Sequence, residues 1–186
     1  MKQNINPEMT AIASMTRSTI SADNIGLTTH YEVECLDGNG EQKWLAEFDN
    51  LVVNEGLDDA IDKYFKGSSY NAAFYVGLTD GTPTVAAGDT MAGHAGWAEV
   101  ANYSEGTRPS LTLGSVASQS VDNSASKASF SVTASVTIGG CFVSTNSTKS
   151  GTSGTLYGGG AFSGGDKSAD NGDTLNVTVT LTASAI

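Results

Sequence analysis

The residues of this sequence that could do catalysis or hold a metal are two histidines, two cysteines and twenty carboxylates. A nucleophilic triad needs a nucleophile, a base and an orienting acid, and His94 in MAGHAGW has the chemistry of the base. No G-x-S-x-G or comparable elbow accompanies it. Zinc takes about four nitrogen or sulfur ligands, and His30, His94, Cys35 and Cys141 lack ligand spacing. We therefore predict a protein that is not an enzyme, without catalytic, cofactor-binding or metal-binding residues, and two structural or surface histidines.

Two glycine-rich segments near the C-terminus carry the next candidates. GGDKSADNGD places Asp166, Asp170, Asn171 and Asp173 close together, and oxygen-rich loops bind calcium. The D-x-D-x-D-G-x5-E pattern is absent, so the segment favours a plain turn, and ion binding by 166–173 stays open. LYGGGAFSGGD has no following helix and no G-x-G-x-x-G spacing, so it predicts no phosphate cradle.

Three aromatic residues raise a carbohydrate hypothesis. Trp44, Trp97 and Tyr103 have rings that could stack on sugars, which is typical of a carbohydrate-binding β-sandwich module or a hydrolase. Both tryptophans lie in alternating strand patterns, so core packing is the prediction. Any two of the twenty acidic residues could supply the paired carboxylates of a glycoside hydrolase, and the sequence does not identify such a pair.

The charge of the chain limits its partners. A net charge of −11 argues against nucleic acid, whose phosphates need lysine and arginine, and against an anionic membrane surface. Residues 31–62 hold ten Asp or Glu and a single lysine, Lys43. This indicates either a solvated acidic face or a face that meets a basic partner. Cys35 and Cys141 are predicted to be small buried hydrophobes rather than a disulfide.

The first clear element is a hairpin over 30–49. Tyr31, Val33 and Cys35 alternate with glutamates, DGNG supplies a turn, and the return strand alternates again through Phe48. This is the period-two pattern of a half-buried strand pair.

A helix is predicted over 54–66. Asn54 is the expected N-cap, and Gly67 supplies the left-handed residue that ends the helix. Acids in the first turns and lysines in the last suit the helix dipole without any catalytic role. One apolar stripe is expected to pack on the core, and it consists of Leu57, Ala60, Ile61, Tyr64 and Phe65.

The remainder of the chain is mainly β. AFYVGL at 73–78 suits a strand buried on both faces. About seven strands without intervening helices predict one antiparallel β-sandwich domain over 27–186, Ig-like or jelly-roll. The predicted strands after 78 lie in WAEVANY, SLTLGSV, KASFSVTASVTI, CFVST, TLYGGGAF and TLNVTVTLTA.

Residues 1–26 are interpreted as an extended N-terminal arm. The segment is polar and lacks a helical or strand period. Fully extended, about 25 residues reach roughly 80 Å, well beyond the domain's own body. We predict that its apolar residues contact a partner, namely Ile12, Met15, Ile20 and Ile25.

Several segments together resemble small virion structural proteins of tailed bacteriophages. They are FDNLVVNEGLDDAIDKYFKG, FYVGLTDGTPTVAAGDTMAGHAGWAEV, SVDNSAS, IGGCFV and GTLYGGGAFSGGD, within residues 27–183. The resemblance is to capsid decoration (cement) proteins, and tail-fibre and collar proteins share similar motifs. It implies a non-enzymatic protein, made in the bacterial host cytoplasm, that binds the major capsid protein on the virion surface.

On this expectation the protein forms a dimer or trimer on the shell and staples neighbouring capsid subunits. The arm would add contacts to a second subunit at high effective concentration. The alternative within the same class is a tail, neck or fibre component.

Overall fold

The computed structural model describes residues 25–70 and 73–185. This part of the chain contains twelve strands, one α-helix and a short 3-10 turn at Ser124–Ser126. The helix is α1, Asn54–Phe65. The strands are β1 Ile25–Leu36, β2 Gln42–Asp49, β3 Leu51–Val52, β4 Tyr75–Thr79, β5 Glu99–Val100, β6 Ser120–Asp122, β7 Ala128–Ser131, β8 Val136–Ile138, β9 Gly140–Ser144, β10 Leu156–Ala161, β11 Lys167–Ala169 and β12 Thr174–Ala185.

The strands form two five-stranded sheets and a small ribbon. In the first sheet the order is β2-β1-β12-β6, with β7 also paired to β12, and in the second it is β3-β10-β9-β4-β5. β8 and β11 form the ribbon, and every pairing is antiparallel. The predicted mainly-β antiparallel sandwich with one short helix is confirmed.

The main core lies between the two sheets. Tyr31, Val33 and Cys35 alternate along β1 and are fully buried, and Val177 and Val179 do the same along β12. They share one cluster with Val76 and Val143 of the second sheet. Cys35 and Cys141 are both free and buried, which confirms that they act as small core residues.

A second hydrophobic cluster covers the other face of the second sheet. Phe142 of β9 and Leu156 of β10 pack there against Val53, Met91 and Trp97. Because both faces are covered, every residue of β9 is buried. The predicted doubly buried strand is β4, which begins at Tyr75 and is buried from Val76 to Thr79.

The hairpin is confirmed, but other strand predictions were wrong in detail. β1 pairs with β2 from His30 to Leu36 and extends back to Ile25. KASFSVTASVTI is two strands, because β7 pairs with β12 and β8 with β11. SLTLGSV forms no strand, and only Ser110 makes a bridge, to Tyr75. No helix within 25–70 and 73–185 is long and apolar enough to span a membrane.

Candidate contact surface

The helix α1 is attached to the second sheet through its first turn. Gly56 is the buried residue of α1, and a Cβ on it would lie 2.9 Å from the Tyr157 Cα of β10. The Leu156 N–H donates to Glu55 Oε2 at 2.7 Å, and the Val53 N–H donates to the Tyr157 carbonyl at 3.2 Å. The helix therefore approaches β10 by backbone contact, which only a residue without a side chain permits.

The predicted N-cap was wrong, whereas the predicted end was correct. Val53 precedes the helix in extended conformation, and no side chain caps the first turn. Asn54 is the first helical residue, and its N–H donates to the Ala87 carbonyl at 2.9 Å. A neighbouring loop thus satisfies one of the first N–H groups of the helix, which have no partner within the helix. At the other end Gly67 has φ +68°, the left-handed conformation expected there.

The apolar stripe of α1 does not pack on the core, contrary to the prediction. The exposed fraction is 39% for Leu57, 56% for Ile61, 83% for Tyr64 and 72% for Phe65, while Ala60 is half-buried. The reason is that the helix rests on β10 through Gly56, which turns these four side chains outward. We call Leu57, Ile61, Tyr64 and Phe65 the α1 apolar face.

A groove runs beside this face. It has a volume of about 400 Å³ and is lined by Asp59, Ala60, Lys63, Tyr64, Tyr70, Phe74 and Tyr157. Tyr64 belongs to both the groove and the α1 apolar face, so the two form one continuous surface. Tyr70, at 69% exposure, extends it further. Burial raises the pKa of Tyr157, which is one of the residues that line the groove.

The charges of α1 are separated along its length. Glu55, Asp58, Asp59 and Asp62 occupy the first nine residues of the helix, and Lys63 and Lys66 follow them. Lys66 Nζ lies 2.7 Å from Asp62 Oδ1, and this hydrogen bond lowers the pKa of Asp62. Lys63 lies 3.9 Å from both Asp59 and Asp62. The helix therefore has an acidic N-terminal part and a basic C-terminal end.

This arrangement suits binding rather than chemistry. A contiguous exposed apolar patch on a folded domain marks an interaction site, whereas single exposed apolar residues need no explanation. Aromatic residues are enriched at protein interfaces because they bury a large area with few rotatable bonds. The Tyr64 and Phe65 rings already pack edge to face, with centroids 4.9 Å apart.

The two histidines have local structural partners. His30 Nδ1 lies 2.9 Å from Asp49 Oδ1, and its Nε2 lies 3.6 Å from Glu47 Oε2, on the outer side of the first sheet. The His94 ring stacks on Trp97 with centroids 3.7 Å apart, and His94 Nδ1 lies 3.1 Å from the Trp97 carbonyl. Within the described ranges, no three His, Cys, Asp or Glu residues are grouped to hold a metal ion.

The acidic residues of 166–173 turn toward different partners. Asp166 accepts hydrogen bonds from the Thr82 N–H at 2.7 Å and the Thr82 hydroxyl at 3.1 Å. Asp170 and Asp173 both accept from Lys43 Nζ, at 2.9 Å and 2.6 Å. These hydrogen bonds raise the pKa of Lys43 and lower that of Asp170. The segment contains β11 and then the predicted turn before β12. The Lys43 ammonium group lies between the Asp170 and Asp173 carboxylates.

The predicted packing of the three aromatic residues is confirmed. Trp97 and Tyr103 are 7% and 4% exposed. Trp44 is half-buried, packs near Phe162 with centroids 6.0 Å apart, and donates from Nε1 to the Ser168 carbonyl at 2.8 Å. Trp97 and Tyr103 therefore present no open ring face on which a sugar could stack.

One buried ion pair was not predicted from the sequence. The Arg108 side chain is fully buried and holds Glu99 with two hydrogen bonds, of 2.9 Å and 2.6 Å. Its guanidinium also donates to the Asn146 and Gly151 carbonyls, at 2.8 Å and 3.1 Å, and lies 5.0 Å from the Phe142 ring centroid. No local pattern could identify this group, because its partners are far apart in sequence.

The four residues predicted to contact a partner are placed as follows. Ile12, Met15 and Ile20 lie outside the described residues. Ile25, assigned to the arm, is the first residue of β1 and pairs with Ala185 of β12. The first sheet therefore includes residues 25 and 26.

Comparison with known proteins gives no family for this chain. No protein-family model matches it. No curated protein matches its sequence either.

The attachment of α1 can be tested at Gly56. A Gly→Ala change inside a helix normally stabilises it by about 1 kcal/mol. Here we expect Gly56→Ala to lower the free energy of unfolding by roughly 1–3 kcal/mol, because the new methyl would overlap the Tyr157 backbone. Urea unfolding measures the change.

Gly106→Ala is the matched control, since a Cβ there meets nothing within 4 Å. We expect it to be neutral or to stabilise by up to about 1 kcal/mol. A Gly56→Ala protein as stable as the Gly106→Ala protein would mean that α1 does not rest on β10 in this way.

Proposed function

We propose that this protein is a non-enzymatic virion structural protein of a tailed bacteriophage, a capsid decoration protein. It binds the outer capsid surface and staples neighbouring major capsid subunits. The segment before β1 reaches across the shell, and copies of the sandwich associate with one another above it. The resemblance described above supplies the class, and the surface of the domain supports it.

The observation that carries the proposal is the α1 apolar face. The domain has a closed core between its sheets and a second cluster behind them, yet four large apolar side chains of one helix remain exposed. Exposing such a surface to water costs free energy and favours association. In a subunit of an assembly, such a surface is buried against a neighbouring subunit.

The acidic side of the first sheet supports a basic partner. Glu32 of β1 lies directly opposite Glu47 of β2. Like charges facing each other across strands destabilise a sheet. A capsid surface with lysine or arginine at this position would relieve that repulsion and favour one orientation of docking.

Removing residues 1–24 tests the stapling mechanism. The cut leaves β1 and the whole described domain in place, so we expect the truncated protein to fold with unchanged unfolding free energy. Its binding to expanded empty capsids should fall by at least about tenfold, because the second set of contacts is lost. Co-sedimentation with capsids, compared with the full chain at equal concentration, measures this. Undiminished binding would reject the stapling role of the segment.

A tail or neck component is the second candidate, since the α1 apolar face also suits a ring of repeated subunits. In that case the helix and the β1–β2 hairpin make the subunit contact. The number of copies in purified particles separates the two candidates. Hundreds of copies per particle support decoration, and six or twelve support a tail or neck position.

A further inference from the structure

We infer that the groove beside α1 binds a neutral oligosaccharide, which stacks on its tyrosine rings and forms hydrogen bonds with Asp59 and Lys63. This site goes beyond the proposed function, since its ligand is a sugar and not a protein. The test uses the free protein in dilute solution, so its failure would leave capsid binding untouched.

The groove lies on the side of α1 that faces the second sheet. Asp59, Ala60 and Lys63 follow Gly56 at intervals of three, four and seven residues, so they share its side of the helix. The α1 apolar face points elsewhere, and Tyr64 alone borders both surfaces. With a volume of about 400 Å³, the groove falls within the range of sites that bind small molecules, about 300–1,000 Å³.

The aromatic rings of the groove are accessible to a ligand. Tyr64 and Tyr70 belong to its lining and are 83% and 69% exposed. Phe74 and Tyr157 are half-buried and pack edge to face, with centroids 6.1 Å apart. The groove therefore has two exposed rings beside two that are held in place. A sugar ring has a face of C–H groups that packs on such rings by apolar contact.

The polar groups of the groove select the chemistry of the ligand. Asp59 Oδ1 and Lys63 Nζ lie 3.9 Å apart, beyond hydrogen-bond length, and within the described residues neither side chain makes a hydrogen bond. These side chains are only 26% and 29% exposed. An apolar occupant would bury both groups further without giving either a partner, which costs free energy. Sugar hydroxyls accept from an ammonium and donate to a carboxylate, so a saccharide satisfies both groups at once.

The charges disfavour ionic ligands. The Asp59 carboxylate and the Lys63 ammonium offset each other, so neither an anion nor a cation gains a net attraction in the groove. The net charge of −11 for the whole chain further disfavours anions such as nucleotides or acidic polysaccharides. The ligand that fits is neutral, with apolar faces and with hydroxyl groups along its edges, and neutral oligosaccharides have this chemistry.

Saturation-transfer NMR with four neutral trisaccharides tests the binding: maltotriose, cellotriose, mannotriose and N,N′,N″-triacetylchitotriose. We expect at least one of them to bind with a dissociation constant between about 0.1 and 10 mM, because an open groove leaves part of the ligand in water. Saturation should be strongest at the C–H groups of the sugar that pack on the tyrosine rings. No transfer to any of the four at about 10 mM ligand would overturn the inference.

Two substitutions locate the ligand. Tyr70→Ala removes a stacking ring, and Asp59→Asn removes the charge of the acceptor while it keeps the shape of the side chain. Each should raise the dissociation constant at least about fivefold. Ile61→Ala is the matched control, since Ile61 is an exposed apolar residue of α1 that does not line the groove, and it should bind like the parent. Undiminished binding by Tyr70→Ala or Asp59→Asn, or an equal loss in Ile61→Ala, would overturn the inference.

Deletion of residues 1–24 tests another occupant of the groove. We expect the truncated protein to bind the same trisaccharide as tightly as the full chain does. Binding that appears only after the deletion would assign the groove to residues 1–24, and the inference would fall.

Discussion

Replacing Arg108 with methionine is expected to lower the free energy of unfolding by about 3–5 kcal/mol, because it leaves the Glu99 carboxylate buried without its cation. The Glu99 side chain is only 6% exposed, and Arg108 is its ion-pair partner. The same change frees the Asn146 and Gly151 carbonyls, which Arg108 fastens to the second sheet. Urea unfolding at pH 7 measures the loss, and hydrogen exchange should become faster in residues 145–152.

The double variant Arg108→Met with Glu99→Gln controls for the charge. Removing both charges takes away the buried uncompensated carboxylate, while the new amide oxygen can still accept from the Ser150 N–H, which lies 2.7 Å from Glu99 Oε2. We expect the double variant to be more stable than Arg108→Met by about 1–2 kcal/mol. A double variant that is less stable than the single one would contradict this view of the ion pair.

The second large effect is expected at Phe130. Phe130→Ala should lower the free energy of unfolding by about 3–5 kcal/mol, because it opens a cavity in the core between the sheets. Phe130 is fully buried and packs edge to face against Tyr103, with ring centroids 4.9 Å apart. Thermal or urea unfolding measures the change.

Phe65→Ala makes the same substitution on the α1 apolar face. Phe65 is 72% exposed, so in dilute solution we expect a change within about 0.5 kcal/mol. If Phe65→Ala cost as much as Phe130→Ala, the face would be part of the core after all, as the sequence had indicated.

The periodic parts of the fold were predictable from sequence. Alternation in Tyr31, Val33 and Cys35 identified β1 and its buried side, and the TLNVTVTLTA alternation identified β12. The helix was placed within one residue of its end, because Gly67 has one clear conformational role. These features depend on near neighbours in sequence, which a single chain displays directly.

The orientation of α1 could not be predicted, because it depends on which side of the helix has something to rest on. The apolar stripe was expected to face the core, as it does in most surface helices. In this protein the contact is made by Gly56 against β10, residues about a hundred positions apart in sequence. Glycine does not contribute to an apolar pattern, so the pattern of apolar residues indicated the wrong side of the helix.

The missed elements have the same cause. The Arg108 network joins Glu99 of β5 to residues of separate loops, and SLTLGSV alternates like a strand but makes a bridge only at Ser110. Alternation shows that a segment can pair, whereas the presence of a neighbouring strand decides whether it does. β11 was missed because it has only three residues, and β8 was predicted only as the end of the longer strand KASFSVTASVTI.

We propose that the α1 apolar face is a surface for assembly. Hydroxyl-radical labelling read by mass spectrometry tests it at Tyr64 and Phe65, with Tyr31 as the buried reference. We expect strong labelling of Tyr64 and Phe65 in dilute protein, and protection of both in concentrated protein, while Tyr31 stays unlabelled throughout. Labelling of Tyr64 and Phe65 that is as low in dilute protein as that of Tyr31, or that does not change with concentration, would contradict it.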